Sequence, residues 1–482
     1  MNNPQSLKTQ LLRRKPAVML LAEADGDGDG PGLKRALGAL DLTMLGIGAI
    51  VGAGIFVLTG VAAAQYAGPA IVMSFVVSGF ACAMAALCYA EFAAMIPVAG
   101  SAYSYSYATM GELVGWIIGW DLVLEYAVGA AAVAVGWSGY LRVILEGLGI
   151  HLPDALSHAP GSVPGAIIDL PALLIVLAIS AILYVGISES ARFNSIIVGV
   201  KLVVIALVIL IGAFYIKPAN WSPFAPMGWS GVMKGAAVIF FAYIGFDAVS
   251  TAAEEVINPN RDLPLGILGS LFICTLLYIA VAGVLTGMVP ARQIELNAPL
   301  ASAFVIRGLN VVSGIISLGA VAGLTSVLLV LLLGQSRIFF AVSRDGLLPA
   351  AFSRVHPRFR TPYIPTMITA VAVGMTAALL PIQEIAELTN IGTLFAFVLV
   401  CAGVWILRHL EPGLKRPFRS PLVPVVPILG IFFCAYLMSS LPTVTWIRFF
   451  VWMALGLGIY FSYGRFHSRV ANHIAESQAA AD

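Results

Sequence analysis

Two stretches of this 482-residue chain combine apolar residues with glycines in a way that can expose backbone polar groups. The first is GIGAIVGAGIF at residues 46–56, which has four glycines, and the second is FFAYIGFDAVSTAAEEV at residues 240–256. Glycine weakens a helix, and an interrupted helix leaves C=O groups unpaired before the gap and N–H groups unpaired after it. The C=O groups can bind a cation and the N–H groups an anion.

Five ionisable side chains lie within or near the ends of apolar runs, namely Glu91, Asp121, Glu125, Lys201 and Asp247. Because charged groups are costly in hydrocarbon, each is a candidate functional residue. Glu91 is either an interfacial carboxylate or the partner of an inner arginine such as Arg337, with which it would form a gate. Asp247 directly follows the second glycine stretch, where a carboxylate would cap a helix N-terminus. Direct ligand contact is the alternative for Asp247, and Asp121 receives no role.

The chain lacks the patterns of the common enzyme and metal sites. Its five cysteines fall inside apolar runs without C-x-x-C spacing, and we expect them to be small packing residues. The DGDGDG segment at residues 25–30 has no glutamate at position 12 of the calcium loop that it partly matches, so we expect an acidic linker. No zinc-protease, nucleophile-elbow or phosphate-loop motif occurs in a suitable context. We therefore expect no catalysis, no cofactor and no metal.

The elements that must position these residues are membrane helices. Hydrophobic residues make up 60% of the chain and charged residues 10%, whereas about a quarter of the residues of soluble proteins are charged. Apolar runs of roughly 20 residues, the length needed to cross a bilayer, begin near residues 37, 69, 113, 168, 192, 230, 265, 310, 363, 386, 423 and 445. The runs are continuous rather than alternating, which is not the pattern of a barrel. The sequence predicts an all-α membrane protein with twelve transmembrane helices.

The basic residues predict the orientation of these helices. Of the 26 Lys and Arg residues, 19 fall on the side of the chain termini, six fall on the opposite side, and Lys201 lies within a run. Cytoplasmic loops carry the excess of positive charge. We therefore expect both termini in the cytoplasm and a multi-pass protein of the inner (plasma) membrane. The net charge of +2 gives no reason to expect a nucleic-acid partner.

Both glycine stretches lie near the middle of the bilayer. Gly52 is about 15 residues into the first run, or roughly 23 Å, and Gly245 is about 13 residues, or roughly 20 Å, into the sixth run from the opposite side. Discontinuous helices at matching places in two halves are typical of an inverted repeat. Close helix packing through Gly48 and Gly52, four residues apart, is the alternative.

An inverted repeat divides the chain into five parts. These are a cytoplasmic N-terminal segment at residues 1–36, a first repeat of five helices at 37–217, a second repeat at 228–410, two further helices at 423–464 and a cytoplasmic tail at 465–482.

The helix ends at the two stretches suit a ligand that carries both charges. In the first helix, C=O groups end near Ile50 and N–H groups begin near Gly52, while the sixth helix presents C=O groups around Phe241, Ala242 and Ile244. A carboxylate and an ammonium group only a few ångströms apart match such a pair. The pattern indicates that the ligand is an amino acid.

Four segments carry a resemblance to a known family: LLRRKP, LKRALGALDLTMLGIGAIVGAGIFVLTG, FFAYIGFDAVSTAAEEVINPNRDLP and LGQSRIFFAVSRDGLLP. They resemble the amino acid/polyamine/organocation superfamily, and within it the bacterial cationic amino acid transporter group. The resemblance covers roughly residues 7–465. It implies a LeuT-like fold of five plus five helices with alternating access. It also implies that the amides of Gly52, Ala53 and Gly54 hold the substrate carboxylate and that Phe241 closes over the substrate, although an apolar core position is the alternative for Phe241.

The resemblance also suggests how transport would be energised. Lys201 lies about nine residues, or roughly 14 Å, inside the fifth run, where the resemblance implies an ammonium group in the place of a sodium ion. The expected partners are carbonyls between Gly46 and Ala49 and the hydroxyl groups of Thr325 and Ser326. Glu125 and Thr43 are expected to form a neighbouring polar contact. A permanent pair between Lys201 and Glu125 is the alternative.

These observations predict a proton-coupled transporter that takes up an amino acid. An exchanger or a polyamine transporter of the same fold is the alternative, whereas a channel or a membrane-embedded enzyme fits the lone charges poorly. The expected partners are the substrate, protons and membrane lipid, with no obligate protein partner. Neutral and cationic substrates both remain open.

Overall fold

The computed structural model describes residues 11–15, 37–98, 101–185, 191–359 and 361–469. Most of the predicted N-terminal segment, including DGDGDG, lies outside the described residues, and so does the tail from residue 470 onward.

The described chain is helical, as its apolar composition predicts. We number the longer α-helices in chain order: α1 (Ala39–Ile50), α2 (Ile71–Met95), α3 (Ser101–Met110), α4 (Glu112–Gly147), α5 (Leu170–Val185), α6 (Ala191–Ala213), α7 (Gly228–Ile239), α8 (Pro259–Met288), α9 (Pro299–Ile306), α10 (Asn310–Arg344), α11 (Tyr363–Leu379), α12 (Ile382–Leu410), α13 (Val425–Ser439) and α14 (Thr443–Ile459).

Many of these helices have the length and composition of membrane spans. In the described part of the chain, eight helical segments are long and apolar enough to cross a membrane, and four apolar helices of 10–17 residues are shorter. The shorter four are α1, α5, α11 and α13. The two long helices α4 and α10 pack along each other, and they support the segments that carry the candidate site.

The first interruption lies at residues 51–53. Helix α1 ends at Ile50, and Val51 leaves the helical region with a ψ of 89°. Helical structure resumes in a π-helix, Gly54–Leu58, followed by the α-helical turn Thr59–Ala62 and a second π-helix, Ala63–Ala67. The break itself lies in the glycine-rich stretch, where glycine weakens the helix.

The second interruption lies at residues 240–246. Helix α7 ends at Ile239, a 3-10 helix covers Phe240–Tyr243, and a second 3-10 helix covers Asp247–Glu255. Between them Gly245 has a φ of +115°, a conformation that other residues rarely adopt. A Cβ atom there would also lie 2.9 Å from the carbonyl carbon of Ala49. Glycine is therefore required at this position for both its conformation and its size.

Backbone hydrogen bonds join the beginning of the first interrupted segment to the end of the second. The Leu37 N–H donates to the Glu255 C=O at 3.0 Å, and the Ile257 N–H donates to the Leu37 C=O at 3.0 Å. The chain entering α1 and the chain leaving the second interruption are thus paired directly. The two segments are expected to move together.

Candidate functional site

The two interruptions meet in the interior of the molecule. A Cβ atom added to Gly54 would lie 2.3 Å from the Ala242 Cα, so the two backbones are in contact. The Tyr278 hydroxyl group of α8 lies 2.8 Å from the Ile50 carbonyl oxygen and 2.9 Å from that of Ala242. A single hydroxyl group therefore joins the last carbonyl of α1 to a carbonyl in the second interruption.

A small cavity of about 10 Å³, enough for about one water molecule, lies beside this contact. Its aliphatic lining comes from Ala49, Ile244, Ala248, Val327, Val330 and Leu331. Its polar lining comes from Glu125, Tyr126 and Asp247. The cavity is thus bounded by the last turn of α1 at Ala49, by the second interruption at Ile244 and Gly245, by an apolar wall on α10 and by two carboxyl groups.

The sequence-predicted backbone groups lie at these interruptions. The Phe241 carbonyl oxygen accepts a hydrogen bond from the Ile244 N–H at 3.2 Å, while the Ala242 carbonyl oxygen faces Tyr278. Gly52 is less crowded than Gly54, because the atoms nearest to a Cβ atom there would be those of the Val327 side chain, at 3.4 Å. The Phe241 side chain is buried, an environment compatible with both a lid and a core position.

Asp247 stabilises the turn that precedes its own helix. Its carboxylate accepts a hydrogen bond from the Gly245 N–H at 3.2 Å, and its carbonyl oxygen accepts one from the Ser250 hydroxyl group at 2.6 Å. The residue is buried and also lines the cavity. The two roles considered for Asp247, local capping and ligand contact, are therefore compatible in one position.

Glu125 lies among acids. The Asp247 and Asp121 side chains are close enough to interact electrostatically with it, and Thr393 of α12 lies beside its carboxyl group. The expected contact with Thr43 is wrong in this structure. The Thr43 hydroxyl group donates to the Ala39 carbonyl oxygen at 2.8 Å and lies beside Gly269 of α8. The side of α1 that carries Thr43 faces α8, which sequence spacing alone does not reveal.

Lys201 on α6 is fully buried and contacts the two helices that the resemblance implied. Its Nζ donates to the Gly48 carbonyl oxygen of α1 at 2.9 Å, and its stem packs on Gly323 of α10. No described carboxylate forms an ion pair with Lys201. The permanent pair with Glu125 is therefore absent among the described residues.

The two hydroxyl groups expected near Lys201 have other partners. Thr325 accepts a hydrogen bond from the Trp137 indole N–H at 2.9 Å and donates to the Val321 carbonyl oxygen. Ser326 donates to the Gly323 carbonyl oxygen at 3.0 Å. Helix α10 thus presents Gly323 to the lysine stem, and Ser326 binds the backbone at that same glycine.

Glu91 is paired with arginines, but not with Arg337. Arg408 of α12 donates to both Glu91 carboxylate oxygens, at 3.0 and 2.6 Å, and the Arg416 side chain lies 3.5 Å away. The Ser420 N–H adds a hydrogen bond at 2.8 Å. The predicted partner is corrected because the segment after α12, more than 300 residues from Glu91 in sequence, folds back over the end of α2.

Two further buried acids are also paired. Asp345 accepts hydrogen bonds from the Lys15 ammonium group at 3.2 Å and from the Tyr103 hydroxyl group at 2.6 Å. Glu112 accepts bonds from the hydroxyl groups of Tyr107 and Tyr460 at 2.9 and 3.0 Å, and Arg13 lies 3.9 Å away. We call Glu91, Glu112 and Asp345 the paired acids.

Sequence reasoning missed Tyr278 and Asn390. The Asn390 side-chain amide on α12 donates to the Ala237 and Val238 carbonyl oxygens at 2.7 and 2.9 Å, just before the second interruption. Each is a polar residue within a largely apolar run. The available signal was that an isolated polar group in hydrocarbon needs a partner, but the partner could not be named from the sequence.

Apolar helices arranged around a buried cavity, with two interruptions in contact, define the class of a multi-pass membrane transporter. The chain belongs to the amino acid permease family, whose profile matches residues 37–460. The resemblance to the amino acid/polyamine/organocation superfamily is thereby confirmed, and the family consists of transporters rather than enzymes.

Several characterised relatives match nearly the whole chain. The branched-chain amino acid permease BcaP of Bacillus subtilis (strain 168) is 51% identical over 96% of this chain and 100% of its own length. The methylthioribose transporter of the same organism is 50% identical over 95% of this chain and 99% of its own. Cationic amino acid transporter 9, chloroplastic, of Arabidopsis thaliana is 37% identical over 90% of this chain and 89% of its own.

Proposed function

We propose that this protein takes up an amino acid across the plasma membrane by alternating access, driven by an inward proton gradient. The eight long and four short apolar segments would form twelve spans, the first ten as two inverted repeats. The single observation that carries the proposal is the direct contact between the two interruptions, made by Gly54, Ala242 and Tyr278. Motion of either repeat would then change the same site.

The substrate backbone would bind at the helix ends. The amides of Gly52, Ala53 and Gly54 follow the end of α1 and would hold the carboxylate, since helix N-termini attract anions. The carbonyl groups of Ile50, Phe241, Ala242 and Ile244 would hold the ammonium group, and Phe241 would close over the substrate. The membrane interior favours these contacts, because backbone groups there have no water as an alternative partner.

We propose a neutral, aliphatic side chain for the substrate. Val327, Val330 and Leu331 of α10 and Ile244 supply an apolar wall to the cavity, and burial of each CH₂ group there would contribute roughly 0.8 kcal/mol. The branched-chain amino acid permease among the relatives supports the same class. Of the two carboxyl groups in the lining, Glu125 would take part in proton coupling and Asp247 would cap the turn at the second interruption. Neither would bind a cationic substrate side chain.

Lys201 would couple transport to protons. The charged ammonium group ties α6 to the Gly48 carbonyl of α1 and packs against Gly323 of α10. Loss of its proton would remove the charge-assisted hydrogen bond to Gly48, which is worth about 1.5–3 kcal/mol. Helices α1 and α6 could then separate without any sodium ion.

The first experiment measures uptake of labelled isoleucine into proteoliposomes, with and without an inward proton gradient and with sodium present or absent. We expect saturable uptake that needs the proton gradient and not sodium. Unlabelled valine and leucine should compete, and arginine and methylthioribose should not. Competition by arginine alone would replace the aliphatic class with a cationic one, and competition by methylthioribose alone would point to the second candidate named by a relative.

The second experiment separates binding at the glycines from packing. Gly54→Val should abolish uptake, but the Ala242 backbone would be displaced as well. Gly52→Ala is therefore the sharper variant, because the nearest contact of its methyl group is the Val327 side chain at 3.4 Å. We expect Gly52→Ala to raise the apparent KM for isoleucine about tenfold or more with little change in melting temperature.

Gly314→Ala on α10 is the matched control, since a Cβ atom there meets open space. It should leave both the KM and the melting temperature unchanged. Normal uptake by Gly52→Ala would contradict the proposed carboxylate site.

The third experiment tests Lys201. Lys201→Met should abolish proton-driven accumulation and its dependence on pH, while Lys234→Met, which alters an exposed lysine of α7, should keep both. Concentrative uptake by Lys201→Met on a proton gradient would remove Lys201 from the mechanism.

A further inference from the structure

Asp121 is a buried carboxyl group that the mechanism above does not use. The residue is 0% exposed, and neither of its carboxylate oxygens has a hydrogen-bond partner in the described part of the chain. Burying an ionised carboxylate without a partner costs several kcal/mol. A group in this position is accommodated only as the neutral acid, and therefore with a proton bound.

Its place on α4 connects Asp121 to the cavity. Asp121 and Glu125 are four residues apart, so their side chains lie one above the other on the same face of the helix. Glu125 lines the cavity, whereas Asp121 lies one turn closer to the Glu112 end of α4. In the proposed orientation that end faces the cytoplasm.

Helix α12 leaves room for both carboxyl groups. A Cβ atom added to Gly392 would lie 2.7 Å from Asp121 Oδ1, so a larger residue there would displace the carboxyl group. The next residue, Thr393, lies beside Glu125. Among the described residues, the other titratable groups that interact electrostatically with Glu125 are Asp247, Tyr89 and Tyr126, and none of these three is a cation.

We propose that Asp121 and Glu125 form a proton-binding site on the cytoplasmic side of the substrate cavity. In this site, Asp121 takes the proton from Glu125 and passes it toward the cytoplasm. This inference rests on the proton-coupled transport proposed above. The first step moves one proton from Glu125 to Asp121, and the second releases that proton from Asp121 to water on the cytoplasmic side, so charge and atoms balance. Asp121 would be a proton-transfer residue that does not contact the substrate.

The experiment compares parent, Asp121→Asn and Gly392→Ala proteins in proteoliposomes. We expect Asp121→Asn to lower proton-driven accumulation of isoleucine at least about tenfold and to leave isoleucine counterflow within about twofold of the parent, since exchange needs no net proton transfer. Gly392→Ala should act in the same direction, because it displaces the carboxyl group without removing it.

Glu387→Gln is the matched control. Glu387 is another buried acid, but it accepts hydrogen bonds from Thr445 at 3.1 Å and from Gln383 at 3.2 Å. It should retain proton-driven accumulation. If Glu387→Gln also loses accumulation, transport is sensitive to the loss of any buried acid, and the role assigned to Asp121 is overturned.

Infrared spectroscopy tests proton binding directly. The parent protein at neutral pH should have a carboxylic acid C=O band that shifts in D₂O, and Asp121→Asn should lose the part of that band that comes from Asp121. An identical band in both proteins overturns the proposal. So does unchanged accumulation by Asp121→Asn, or a loss of counterflow and melting temperature together with accumulation, which marks a structural role.

Failure of the proposed function can be told apart from failure of this inference. A parent protein that ignores the proton gradient overturns the coupling and the transport role of Asp121 together. A proton-driven parent with a fully active Asp121→Asn overturns the role of Asp121 alone.

Discussion

Two groups of buried acids in this protein have the same exposure but opposite surroundings. The paired acids are 1–8% exposed, and each has both a cation and further hydrogen-bond donors. The central acids, Asp121, Glu125 and Asp247, are 0–3% exposed, and no described cation forms an ion pair with them.

The difference separates carboxylates that stabilise the fold through ion pairs from carboxyl groups that can gain and lose a proton. A buried carboxylate with a cation and several donors is held in its ionised form, because losing either partner leaves an uncompensated charge. A buried carboxyl group without a cation is stable only while it can take up a proton or a ligand. The paired acids are therefore expected to maintain the fold, and the central acids to serve transport.

The largest expected effect comes from Glu91→Gln. The substitution leaves Arg408 and Arg416 without their shared carboxylate, and breaking a buried ion pair costs roughly 3–5 kcal/mol. We expect a large fall in the melting temperature of the purified protein, measured in detergent with bound lipid. Glu125→Gln should melt like the parent. A Glu91→Gln protein of normal stability would mean that pairing does not separate the two groups.

A second substitution, Asp345→Asn, should have an intermediate effect. It removes the negatively charged carboxylate that binds Lys15 and accepts a hydrogen bond from Tyr103. Hydrogen bonds to a charged group are worth about 1.5–3 kcal/mol. Asp247→Asn is the matched change among the central acids. We expect Asp345→Asn to lower stability with an unchanged KM, and Asp247→Asn to raise the KM with a smaller loss of stability. A raised KM in Asp345→Asn together with a larger loss of stability in Asp247→Asn would contradict the division into structural and transport acids.

Tyr107→Phe should have a smaller effect on stability. It removes one hydroxyl donor from Glu112 and leaves Tyr460, Ser468 and Arg13 in place. One hydrogen bond among several contributes about 1 kcal/mol. Thermal melting should therefore change little, and uptake should be unaffected. A loss as large as that of Glu91→Gln would show that Glu112 depends on this single donor.

The smallest effect is expected from His158, in the loop after α4. Burial and the neighbouring Arg142 guanidinium lower the pKa of His158, although Asp154 and Glu295 oppose the shift. The folded protein therefore binds this proton less readily than the unfolded chain, so stability is lost as the pH falls below the ordinary histidine pKa of about 6.5. His158→Gln should melt with a slightly smaller difference between about pH 7.5 and about pH 5.5.

The sequence itself determined the helical membrane class and the positions where backbone N–H and C=O groups lose their helical partners. Apolar runs dictate helices because lipid offers no other partner for the backbone. The glycine stretches coincide with the observed changes at residues 51–53 and 240–246 because helix stability is a local property of the residues involved. The burial of Lys201 likewise agrees with its position within one apolar run.

Only the tertiary structure decided which polar groups meet. Glu91 binds Arg408 rather than Arg337, Thr43 faces α8 rather than Glu125, and Tyr278 joins Ile50 to Ala242. The isolation of Asp121 is likewise a property of packing, since it depends on Gly392 lying opposite on a helix more than 250 residues later. Periodicity assigns a residue to a depth and a face, but its partner depends on how helices distant in sequence pack together, and many such packings satisfy the same local pattern.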